Sequence, residues 1–582
     1  MSQIKRSLSF NQSSNKKTKK LQNKPNRLII SIENLSDELF YEIFEYLDGG
    51  EIHQAFSNLN HRFQQLLNSS SLLLKLQLQY TPAGKTLMNN YQPIRVNRHQ
   101  IFSIYSWKPS IGSYFFSSFT AGLSLDRLES LVLETVDPSV LISILDKLKF
   151  LPRLFSLTIM HSNDLIDLTD IYRIILSLPV LKYYKFMTNK PYLSVLLSMA
   201  TNEQFNTIEH LVIDHHCTFE ELSMITSYTP ELRRLCFMNE VESDDLKTEI
   251  ILPINLSNLT HLSIRDYYKK FDEFEMFISK LHSKLKVLSF TTQSLNIAYL
   301  DSYRWEEFIL KYLPQLEKFC LQYCERIDNK YKYPIYSGGP NQFFSSFWIE
   351  RQWIMEAEIA GEYITHVVRP YRKRWHEYIP DKMIYSSAGF CKSTQLTLTY
   401  ISSDAHDELI NIHCRRVLSA AQIYHLEISD EKTFIGTLIQ IIKLLPELDS
   451  LKIRSLSFDQ PKSLSAEELA ILCSIANTCK ITKVYLEKMV GIGEVYLLMT
   501  LCPYMLYLKV GFINNINVEL FLRNILEKIN HERNNYLRSL CFHIPTAEDK
   551  MIKKLEKMIN IEKLLLDFII ERVLDNIYLK WT

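Results

Sequence analysis

From residue 128 onward a six-residue pattern, apolar-x-x-apolar-x-apolar, returns along the chain. It reads LESLVL (128), LFSLTI (154), LKYYKF (181), IEHLVI (208), LRRLCF (232), LTHLSI (259), LKVLSF (285) and LEKFCL (316), then STQLTL (393), IYHLEI (423), LDSLKI (448), ITKVYL (481), MLYLKV (505), LRSLCF (537) and IEKLLL (561). These fifteen copies lie 24 to 33 residues apart, apart from one 77-residue interval between 316 and 393, whereas chance matches would scatter. Proline stands two residues before the first apolar position at Pro152, Pro179, Pro230, Pro314, Pro446 and Pro503. Proline cannot continue a helix and biases its predecessor toward extended backbone, so each one is expected where a helix ends and a strand begins. Between copies lie helix-period stretches such as DLTDIYRIILSLP and SAEELAILCSIANTCK, the second with Ser465 and Glu468 at capping-box spacing. A unit of strand, loop and helix cannot bury its apolar face alone. Stacking units side by side gives a curved parallel α/β solenoid, strands on the concave face and helices outside.

Apolar strand positions point inward, so the residues between them line the concave face. Its central column runs from Val132 and Thr158 through Glu427, Lys452, Tyr485, Lys509 and Cys541 to Leu565, small and nearly neutral at first, larger and more charged in the second half. Glu427, Lys452, Tyr485 and Lys509 are therefore candidates for contacting a bound protein. The long interval holds three of the six tryptophans, in FFSSFWIERQWIMEAEIAGEYITHVVRPYRKRWHEY (343–378). There Ile349, Trp353, Met355, Ala357 and Ile359 alternate with more polar residues as in a half-buried strand, and EYITHVV after Ala-Gly suggests a hairpin. Trp348, Arg369, Arg372 and Trp375 join the candidates, because cations among aromatics can hold bases, phosphates or an acidic peptide. The same pattern suits a hairpin whose aromatics pack on the solenoid while its arginines stay in water.

Ahead of the repeats, ENLSDELFYEIFEYLDG (33–49) reads as a short amphipathic helix: Ser36 at its N-cap, Asp37 and Glu38 in its first turn, and Leu39, Ile43, Phe44 and Leu47 on one face. Two further helical pieces follow, EIHQAFSNLN and HRFQQLLNSSSLLLKLQL. Residues 1–30 carry eight Lys and Arg and no acid, a composition suited to a disordered tail, and KKTKK within it suits either a nuclear-import signal or a solvated run.

Two family resemblances follow from these residues. The repeats resemble leucine-rich repeats of an irregular, helix-backed kind, without the family's Asn after the last Leu (LTHLSI continues RDY). Leu35, Ser36, Glu38, Leu39, Ile43, Phe44, Tyr46, Leu47, the pair Glu51-Ile52 and Arg62 resemble an F-box, with Ser36 where that family has Pro and no Trp near the end. The resemblance implies an F-box at 31–78 that docks the adaptor of cullin-RING ubiquitin ligases, with Leu35, Ser36, Leu39, Ile43, Phe44, Leu47 and Ile52 as its adaptor-contact or core residues, two roles that the sequence does not separate. It implies repeats that hold a target protein, and so a non-catalytic substrate receptor. The expected division is a basic tail (1–30), F-box (31–78), linker or cap (79–122), first repeat block (123–324), insertion (325–392) and second block (393–582). A repeat scaffold unconnected with ubiquitin, its N-terminal helices serving as a cap, is the alternative reading.

Charge and motifs narrow the chemistry. Lys+Arg at 66 against Asp+Glu at 65 offers no global field for nucleic acid or membrane, and neither partner is expected. Ten cysteines, none as C-x-x-C, suit reduced thiols in the cytoplasm or nucleus. No metal or cofactor is expected. Asp214-His215-His216-Cys217 lies where a repeat strand enters its loop and reads as chance, and AGKT (83–86) lacks the leading glycine of a phosphate loop.

Overall fold

The computed structural model describes residues 32–78, 98–107, 125–136, 138–161, 167–188, 193–239, 254–327, 338–339, 342–377, 393–400, 407–457, 474, 478–513, 517–532, 536–544 and 549–582. The basic tail, AGKT, the capping pair Ser465 and Glu468, and most of 79–122 and 378–392 lie outside them. The described residues form an α/β fold whose main sheet has 20 strands, mostly parallel and open at both ends. Strands join it in chain order from Leu74–Leu78 to Lys318–Arg326, and again from Gln395–Thr399 to Ser539–His543. The strand residues between the inward apolar positions line the sheet's other face. The register follows the hexapeptides: Thr158 faces Val132 and Lys185, and Glu427 faces Thr397 and Lys452. Each of the six prolines sits in the turn after a helix, the first after Pro138–Leu148 and before the strand Ser156–His161. One apolar core runs between sheet and helices.

Three expectations about the sheet need correction. The strands begin before residue 128: LLLKLQL does not extend a helix but forms Leu74–Leu78, paired with Ile101–Trp107, which pairs in turn with Ser130–Glu134. Its signal was the period-2 run Leu72, Leu74, Leu76 against Leu73, Lys75, Gln77. IEKLLL is not a strand. The helix Asp549–Ile561 runs through its first residue, and Lys563 turns the chain at φ 53°. The edge is closed instead by an antiparallel hairpin, Phe568–Val573 with Asn576–Trp581, so Tyr578 rather than Leu565 sits beside Cys541.

The insertion does not decorate the sheet but adds strands to it. Trp353–Ala360 and Tyr363–Pro370 form the expected hairpin, turning at Gly361 (φ 59°), and the second strand pairs antiparallel with Lys318–Arg326. The first strand then returns parallel to Gln395–Thr399, so the sheet resumes in its original direction. Ile349 falls outside the hairpin, in the short helix Ser346–Glu350. No helix among the described residues is long and apolar enough to cross a membrane.

Candidate functional site

The N-terminal unit consists of helices Asp37–Phe44, Gly49–Phe56 and His61–Asn68 around its own core of Phe40, Phe44, Ile52, Phe63, Leu66, Leu67, Leu72 and Leu74. Phe40 meets Phe63 edge to face at 4.9 Å, and Phe44 meets Phe56 at 5.1 Å. Phe44 and Ile52, read above as adaptor-contact or core residues, are at most 2% exposed and fall on the core side: they hold the unit together. Leu39 is 43% exposed, Leu35, Ile43 and Leu47 are half-buried, and Ser36 is exposed. Phe40, which the sequence reading passed over, takes the central core position. Ser36 does occupy the N-cap, with extended backbone, but makes no side-chain bond to the helix backbone. The Glu38 backbone N–H and then the Ser36 hydroxyl serve the Glu38 carboxylate, holding it below its ordinary pKa.

Arg62 clamps the helix start in place of a cap. It donates to Leu35 O at 2.6 Å and Asp37 Oδ1 at 2.9 Å, and lies over the Phe40 ring at 5.5 Å. Asp48 caps the second helix through Gly50 N (2.7 Å) and accepts from Gln77 N in the first strand. A Cβ at Gly49 would stand 3.0 Å from Leu76 Cδ2 and 3.1 Å from Lys75 O, so a larger residue there would need the strand to give by a few tenths of an ångström.

On the strand face of the second block, Lys452 bridges Glu427 (2.7 Å) and Glu487 (2.8 Å). Burial depresses its pKa, but the two carboxylate bonds outweigh that and hold it above its ordinary value. Tyr485 lies between Lys452 and Lys509, whose ammonium is 4.5 Å from its ring centre. Gly511 permits the adjacent strand's approach, because a Cβ there would collide with Glu487 O.

The insertion crosses this face. After Pro370 the chain brings Trp375 over Tyr485 (5.3 Å) and Tyr507 (6.0 Å, near parallel), above a buried cluster of Tyr507, Cys541 and Tyr578. Arg374 anchors the crossing with bonds to Ser393 O and, at 2.5 Å, Gln395 Oε1, and it faces Glu356 at 3.6 Å. Burial pulls Arg374 down to about 10. The insertion's arginines thus do not all stay in water: Arg374 is buried, Arg369 pairs with Glu356, and Arg372 is exposed. Trp348 is corrected as a contact residue, being fully buried against Phe343, Phe347 and Trp353. Replacing Trp375 by alanine should leave the fold intact and raise the alkylation rate of Cys541, now 0% exposed, at least tenfold in peptide mapping. Unchanged protection would mean that Tyr507 and Tyr578 cover the thiol without the tryptophan.

The first block presents a different face. Along one register row stand Tyr183, His210, Arg234 and His261, then Val287 and Lys318. Sequence reading missed this row because it followed only the central column of each hexapeptide. Asp214 pairs with Arg265 at 2.9 Å. His215, buried against Tyr172 and Phe186, accepts from or donates to the Tyr172 hydroxyl at 2.7 Å, and burial holds it down at about 4. That tetrapeptide is core structure, and no three His, Cys, Asp or Glu side chains among the described residues are grouped to hold a metal. No family model matches the chain, and no curated protein matches it.

Proposed function

We propose that the chain is the substrate-recognition subunit of an SCF-type cullin-RING ubiquitin ligase. In this reading its N-terminal unit is an F-box that docks the adaptor and its leucine-rich-repeat solenoid holds the target protein. The observation that carries the reading is the division of labour in the first helix. Phe40 and Phe44 close the unit's own core, while Leu39 remains outside with Leu35, Ile43 and Leu47 half-covered around it. An exposed leucine on an eight-residue helix is a ready apolar anchor for another protein.

Leu39→Asp tests this better than a change at Phe44, which closes the core, or at Ile43, which is less exposed. Co-expression with an F-box-binding adaptor should give co-purification with wild type and at least a tenfold loss with Leu39→Asp, at an unchanged melting temperature. Equal recovery of adaptor with both proteins would sink the proposal.

A second reading, a repeat scaffold whose N-terminal helices form a cap, is favoured by how tightly that unit joins the sheet. Gln100 Nε2 donates to Leu67 O (2.8 Å) and Ser69 O (2.6 Å), and Arg127 donates to Ser70 O (2.6 Å). Deleting residues 1–78 does not separate the readings, since it also removes the sheet's first strand.

A further inference from the structure

We propose that the strand face of the first block is a docking strip for an extended, carboxylate-rich segment of a partner protein, centred on Lys185, Arg234 and Lys318 with His210 and His261 between them. This deepens the receptor reading and rests on it for the partner's role as target. Two independent observations support it.

The first is charge. Arg234 and Lys318 are exposed and Lys185 is half-exposed, and none of the three has an ion-pair partner among the described residues. Asp214 is already paired with Arg265, and Glu134, bonded to the neutral Tyr105 hydroxyl, lies four strands from Arg234. The rim is likewise neutralised in place, with Glu209 between Lys182 and Arg233, and Glu317 on Lys286. The strip therefore keeps a local positive surplus on a chain whose formal charge is only +1. With no long-range field, a short acidic segment fits better than a long polyanion. Arg234 and Lys318 are three strands apart, about 14 Å at roughly 4.8 Å per strand, which an extended peptide spans in about four residues.

The second is vacancy by comparison. The second-block face is already occupied by residues 371–377, with Trp375 seated on Tyr485 and Tyr507. A partner approaching the strand face without displacing that crossing meets the first block.

The two imidazoles add a signature. Burial holds both below the ordinary histidine value. Arg234 and His261 act further on His210, and Arg234 and Lys318 act on His261 against an opposing pull from Glu317. Tyr183 covers His210 edge-on at 4.8 Å. Bound carboxylates would draw these imidazoles upward, so binding takes up protons and strengthens as pH falls.

The test is fluorescence anisotropy on the full chain without adaptor, using a labelled twelve-residue peptide of alternating Glu and Ser, its Gln counterpart, and a twelve-nucleotide RNA as competitor. The Glu peptide should bind, and bind at least threefold tighter at pH 5.5 than at pH 7.5. R234E/K318E should weaken it at least tenfold and K550E/K553E, on the exposed face of the last helix, less than twofold. H210Q/H261Q should remove the pH response. Equal binding of the Glu and Gln peptides, equal loss with both charge reversals, or RNA displacing the peptide as the tighter ligand would each overturn the inference. Leu39→Asp should bind the peptide as wild type does, so a failed strip and a failed adaptor contact are told apart.

Discussion

Trp305→Ala is expected to remove about 3–5 kcal/mol of stability, the range for truncating a fully buried tryptophan where the surroundings cannot collapse. Trp305 is 0% exposed and sits on the helix Ser302–Tyr312. Its ring meets Phe271 edge to face at 4.8 Å and Phe319 at 5.0 Å, with Phe274, Phe290 and Phe308 around it. Its Nε1 donates to Tyr299 O at 3.0 Å, so the truncation also leaves a carbonyl without its donor. Phe319 in turn packs on Trp348 and Trp353, so this ring is where the first block's core continues into the insertion. Stacked folds hold together through neighbour contacts, and loss at this joint should broaden or split the urea transition followed by circular dichroism. Trp305→Phe, which keeps a ring, should cost well under half as much. A loss below about 1 kcal/mol for the alanine variant would show that the joint is carried elsewhere.

What could be read from the sequence was what period alone encodes. LTHLSI and LKVLSF mark strands because inward residues alternate, and Pro314 or Pro503 marks a helix end because proline has no N–H to donate. Where two faces were both apolar, period could not choose between them. In the first helix Phe40 and Phe44 offer one stripe and Leu39 and Ile43 another about 100° away, and only the positions of Phe56 and Phe63 decide which is covered. IEKLLL failed for the same reason: the end of an amphipathic helix and a short strand can share one apolar spacing. Trp348 looked available beside arginines in sequence, yet the helix Ser346–Glu350 turns it inward. The crossing by Trp375 had no signal at all, since it depends on how far the hairpin returns and on which tyrosines lie opposite.

Arg416→Ala should be as costly as the loss of Trp305, by a different route and with a cost that shrinks in acid. Glu325, at the end of its strand, faces the helix side of the sheet and is 8% exposed. Arg416, 91 residues away on the helix Asp407–Ala420, holds its carboxylate at 2.7 Å, and His366 Nε2 lies 3.7 Å from the other oxygen. Burial by itself raises the Glu325 pKa, but bonds to His366 and Arg416 outweigh it, and the net direction is down. In the wild type Glu325 therefore contributes stability above its unfolded pKa, lost as pH falls through its lower folded value. Without Arg416 the larger burial effect has less to oppose it, and an uncompensated buried carboxylate costs about 3–5 kcal/mol at neutral pH. That cost should shrink as pH falls from 7.5 toward 5, because protonation then relieves the charge. Arg416→Ala combined with Glu325→Gln should be more stable at pH 7.5 than Arg416→Ala alone, since the amide needs no counter-charge. Urea midpoints for the two variants across that range check the sign: a deficit that stays constant with pH would mean that Arg416 acts by packing rather than by holding Glu325 ionised.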